Sequence, residues 1–188
     1  MFEYIWKAVL ETTKIIFSKE SIQSPLFWVV FGVIVGIIEL FFVYRQIRQT
    51  KNATASNLLF AFEKRFESTY LRKIRTSVAK KLQENNYQVT NDIYDMVGVV
   101  LGIFEFMGLL LRKETLAIDE VDCMFGEYIL GYWTCFGEYI EKEREKEVLL
   151  LENFRWLSQK LNKRWIIEGV KPRANSIEFC NTEATLEK

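Results

Sequence analysis

The stretch PLFWVVFGVIVGIIELFFVY, Pro25 to Tyr44, decides how this chain is read. Nineteen of its twenty residues are uncharged, and Glu39 is the exception. At about 1.5 Å of rise per residue, twenty helical residues reach about 30 Å, the hydrocarbon thickness of a bilayer. A helix also satisfies its own backbone hydrogen bonds, as lipid requires. The stretch therefore predicts one transmembrane helix over residues 25–44.

Within it, Gly32 and Gly36 have the small-xxx-small spacing that lets helix backbones approach closely in lipid. Glu39 follows Gly36 by three and shares their face. A mid-membrane acidic residue costs about 2.5–3.5 kcal/mol on translocon scales, so its carboxyl is expected to face protein or water. With a single span, that protein is another copy of the chain, and a ring of Glu39 side chains would line a cation path. The competing reading has Glu39, five residues from Tyr44, snorkelling toward Arg45 and Arg48.

Charge gives the orientation. The 25 basic and 25 acidic residues balance overall, yet Arg45 to Lys81 holds ten basic and two acidic residues, a net of +8. Residues 1–44 carry −1 and residues 82–188 carry −7. A basic block directly after the span places the C-terminal side in the cytoplasm. Three cysteines in no paired spacing fit a reducing compartment.

Before the span, residues 1–24 read as an interfacial amphipathic helix, with Phe2, Ile5, Trp6 and Val9 on one stripe. Mixed charges there argue against a cleaved signal. After it, residues 45–170 read as a cytosolic helical domain. No Pro or Gly interrupts Arg45 to Leu82, which predicts one long rod ending at Asn85–Asn86. Thr90 or Asn91 caps the next helix. Its segment Met96–Leu111 is sixteen residues long and carries Glu105, which favours a buried core helix over a second span. Glu105 is expected to pair with a buried Arg or Tyr. A helix from Asp119 and a final one through Trp165, stopped by Gly169 and Pro172, complete an all-α chain. Residues 171–188 read as a loose tail.

Signals for catalysis are few. The chain has no histidine, which removes the commonest general base and the Ser–His and Cys–His triads. There is no phosphate-binding glycine loop and no metal-ligand run, so neither enzyme activity nor a metal or cofactor is expected. Two basic clusters with interleaved aromatics are candidate ligand sites for an oligonucleotide or anionic lipid. The first is Arg72, Lys73, Arg75, Lys80 and Lys81; the second is Arg155, Lys160, Lys163 and Arg164. For the first the competing reading is attraction to anionic lipid beside the span; for the second, which lies farther along the chain, it is an ordinary solvated helix face with both tryptophans in the core.

The order YRQIRQT, LLFAFEKRFES, GIFEFMGLLLRK and FGEYILGYW resembles an uncharacterised bacterial family of single-span membrane proteins, a domain of unknown function, over about residues 25–165. The build is also similar to the tetrameric channel effectors of the Hailong anti-phage system. That resemblance implies a homo-oligomeric pore and a cytosolic site for single-stranded DNA made by a partner nucleotidyltransferase. The alternative expectation is a membrane-tethered helical interaction module that conducts nothing.

Overall fold

The computed structural model describes residues 25–170 and 175–186. The expected helix over residues 1–24 lies outside them, as do residues 171–174 and 187–188 of the tail. Described residues form six α-helices and no strand: α1 (Pro25–Phe66), α2 (Thr69–Glu84), α3 (Asn91–Arg112), α4 (Ile118–Arg144), α5 (Glu152–Glu168) and α6 (Ser176–Ala184). The chain is all-α, and it divides between Asn52 and Ala53 into two compact units.

The described part of the first unit is helical throughout, starting at Pro25, whose missing N–H costs nothing in a first turn. From Trp28 to Thr50 its side chains are exposed, apart from the half-buried Val35 and Gly36.

The second unit is an aromatic-rich bundle. Ala55, Leu59, Phe62 and Phe66 recur at helical spacing and are buried. The expected rod does not run on to Leu82. It breaks at Glu67–Ser68, where Ser68 adopts an extended conformation and its Oγ accepts a hydrogen bond from the Leu71 N–H at 3.3 Å. A serine cap ends one helix and starts another without Pro or Gly. The break lets α2 turn Leu71, Val78, Ala79 and Leu82 into the core, and α2 ends at Asn85 as expected.

Core packing centres on α3, whose Val97, Val100, Leu101, Phe104 and Met107 are fully buried. Phe104 stacks on Phe154 of α5 at 5.6 Å and meets Phe66 at 5.7 Å. Gly108 lets α5 come close, since a Cβ there would lie 2.3 Å from the Asn153 carbonyl oxygen. Among the described residues two helices are long and apolar enough to cross a membrane, α1 from Trp28 and α3, with mean hydropathies of 2.0 and 1.8. They differ in burial: none of the most apolar window of α1 is covered, against 44% of that of α3.

The expectation of a loose tail is corrected for residues 176–184. Asn175 caps α6 by accepting from the Glu178 N–H at 2.9 Å, and Phe179, Cys180 and Glu183 are buried. A nine-residue helix is marginal alone, so α6 owes its order to packing on α2 and α4. Gly131 makes that packing possible, because a Cβ there would meet the Phe179 ring at 2.3 Å.

Candidate functional site

The sequence-predicted site residues separate into three environments. In the first unit, Gly32, Gly36 and Glu39 follow one another along one face of α1, Gly32 and Glu39 exposed and Gly36 half-buried. A Cβ at either glycine meets nothing within 4 Å, and among the described residues Glu39 finds no hydrogen-bond or ion-pair partner. Among the described residues, nothing lies against the two glycines of this face.

On α2 the five predicted cations divide. Arg72, Lys73 and Lys80 are exposed, while Lys81 is half-buried and pairs with Asp92 at 2.9 Å. Arg72 donates to Glu67 at 2.7 Å. Arg75 cannot serve an external ligand, and that expectation is corrected: the residue is only 1% exposed. Its Nε and Nη2 donate to the two Glu183 oxygens, each at 2.7 Å, and Nη1 donates to the Phe66 carbonyl at 3.3 Å and to Glu67 at 3.2 Å. The guanidinium also lies over the Phe66 ring, 3.9 Å from its centroid. Tyr132 of α4 adds a hydrogen bond to Glu183 at 2.9 Å. Burial opposes the charge on Arg75, yet these carboxylate contacts outweigh it and push its pKa up. One buried arginine thus ties the end of α1, α2, α4 and α6 together.

The α5 cluster is largely neutralised by its own fold. Arg155 pairs with Glu141, and Arg164 pairs with Asp119, with Asp122 at 3.3 Å and with Glu168 at 2.8 Å. Lys160 sits over Trp156 at 4.7 Å, and Lys163 is exposed. Nor do the two basic clusters merge, since α2 packs mainly on α3 and α6 while α5 packs mainly on α3 and α4. A cavity of about 270 Å³ between α4, Trp165 and α6 is lined by Glu127, Glu178 and Glu183 and by no cation. Another of about 380 Å³ opens between residues 56–60 and the start of α4, with Asp119 and Glu120 in its wall. Neither suits a phosphate.

A family model, Domain of unknown function (DUF4760), matches residues 26–165. The chain belongs to this family. The DUF4760 region takes in α1 through most of α5, and α6 lies beyond it. No curated protein and no solved structure matches the chain.

Sequence reasoning missed two features of this DUF4760 protein. Glu105 pairs with neither Arg nor Tyr: it accepts from Asn153 Nδ2 at 2.7 Å and from the Phe154 N–H at 2.8 Å, so it caps α5 from a neighbouring helix. The residue opening α5, Leu151, has a left-handed backbone (φ 47°) and no capping side chain, and the carboxylate also meets the positive end of the helix dipole. The second feature is the set of groups on α6. Phe179, Cys180 and Glu183, at i, i+1 and i+4, form one face of a helix, which was the available signal.

Proposed function

We propose that this chain is a homo-oligomeric membrane effector whose Pro25–Tyr44 helices form an ion-conducting pore, controlled by a ligand bound to the helical domain. The observation that carries the reading is the bare face of Gly32, Gly36 and Glu39 on an apolar helix with no covered surface in its most apolar window. A carboxyl in that setting is stabilised by facing other copies or water. Self-association would bring one glutamate per subunit to a shared axis. The basic residues after the span favour an inner-membrane protein with its helical domain in the cytoplasm. The link to anti-phage defence, to a tetramer and to a single-stranded DNA ligand is supported by the resemblance alone.

With Arg155 and Arg164 of α5 engaged by carboxylates, a polyanion would be held mainly on the α2 face, where Lys73 and Lys80 are exposed and Arg72 shares its charge with Glu67. Anionic headgroups would bind the same residues.

The test is ion flux from liposomes holding the purified full chain. Wild type conducts either without or with an added single-stranded DNA oligomer, and Glu39→Ala changes flux by about tenfold or more while leaving insertion intact. A wild type that inserts and conducts nothing in both conditions sinks the pore. It leaves the second reading, a tethered interaction module, which the exposed Val148, Leu149, Ile166 and Ile167 of the bundle favour.

A further inference from the structure

Cys135 on α4 and Cys180 on α6 are 45 residues apart in sequence, yet their sulfurs lie 3.4 Å apart. Both are free thiols; Cys180 is buried and Cys135 half-buried. Closing the gap to a bond of about 2.05 Å asks for a shift of little more than an ångström. Beside them lies a cavity of about 10 Å³, room for one water-sized molecule, walled by Arg75, Tyr132, Glu183 and the two cysteines. The contact with Cys135, which also reaches the Ser176 carbonyl oxygen at 3.8 Å, holds the Cys180 pKa below the usual thiol value, against burial and the nearby Glu183 carboxylate. The thiolate is the form that attacks an oxidant.

We propose that Cys135 and Cys180 are an oxidation site for small peroxides, and that their disulfide locks the C-terminal helix α6 onto α4. The Cys180 thiolate attacks one oxygen of hydrogen peroxide. A sulfur–oxygen bond forms, the oxygen–oxygen bond breaks, and the departing hydroxide takes the Cys135 thiol proton to become water. The Cys135 thiolate then attacks the Cys180 sulfenic acid, forming the disulfide and expelling a second hydroxide, which takes a proton from solvent. Two thiols lose two electrons, and the peroxide is reduced to two waters. The lock acts within the helical domain, whatever the membrane helix does. It reinforces the contact that Arg75 and Glu183 already make.

The experiment treats the full chain in detergent with hydrogen peroxide, then alkylates the remaining thiols under denaturing conditions. The expected product runs as a single chain under denaturing, non-reducing conditions, has lost two alkylatable thiols, and yields a Cys135–Cys180 cross-linked peptide that a reductant reverses; the exposed Cys123 stays alkylatable. Amide hydrogen exchange over residues 176–184 slows by about tenfold or more on oxidation, as expected when a closed loop holds a docked element. Cys135→Ser and Cys180→Ser each abolish that slowing. Cross-linking through Cys123 while Cys135 and Cys180 stay alkylatable overturns the site. A Cys135–Cys180 disulfide that leaves α6 exchange unchanged overturns the lock.

Discussion

Arg75 is the residue on which the helical domain turns. Its side chain is fully buried against Glu183, whose own side chain is 3% exposed. Removing one member of a buried pair strands a charge, at about 3–5 kcal/mol. Arg75→Ala is therefore expected to lower unfolding free energy by that amount, and Arg75→Met combined with Glu183→Leu to cost less than the two single changes summed. Urea titration of the full chain in detergent checks both, and a double-variant loss equal to the sum of the two single losses would refute the pairing. Glu67 supplies the pH dependence. Burial raises its pKa, but the hydrogen bonds from Arg72 and Arg75 outweigh this and hold it below 4.5. A carboxyl depressed by folding stabilises above its unfolded pKa and loses that contribution as pH falls through the folded one. Glu67→Gln should thus cost about 1 kcal/mol or less at pH 7, given its partial exposure, and the difference should vanish in acid. A cost independent of pH would contradict this.

At the scale of the elements, glycines at close approaches decide which helices can meet. A Cβ at Gly131 would overlap the Phe179 ring, and one at Gly108 would overlap backbone of α5. Gly131→Val is expected to undock α6, read as hydrogen exchange over residues 176–184 rising by about tenfold or more while the rest of the bundle keeps its protection. Gly108→Ala should cost about 1–3 kcal/mol, because the Asn153 backbone cannot rotate away as a side chain does. Gly98 and Gly102 face open space within an exposed stretch of α3. There an alanine should stabilise by about 0.5–1 kcal/mol through helix propensity. Destabilisation at Gly98 would show that another surface packs against it. The sequence announced the helices well, because their apolar residues recur at helical spacing. It did not announce the break at Ser68, because a serine cap looks like any surface serine until the packing of Phe66 and Leu71 requires a turn there.

For the whole molecule, the charge pattern and the charge geometry point to different faces. Lys73→Glu with Lys80→Glu should weaken binding of a single-stranded DNA oligomer by about tenfold at low salt and flatten its salt slope. Lys163→Glu with Arg164→Glu should do far less, since Arg164 already has three carboxylate partners. The reverse ranking, by fluorescence anisotropy, would move the ligand face to α5. The sequence did not reveal that the α5 arginines are neutralised, because most of the acids that answer them, Glu141, Asp119 and Asp122, come from another helix.

Composition and periodicity were enough to establish an all-α chain, an apolar helix long enough to cross a bilayer, and the stripe Gly32–Gly36–Glu39, since these depend on residues close together along one helix. Tertiary packing settled which cations reach solvent, where Glu105 finds its partners, and that the C-terminal residues form a docked helix. Those outcomes depend on groups far apart in sequence, such as Arg75 and Glu183 at 108 residues' separation, and no local pattern encodes a pairing that exists only once the core has closed.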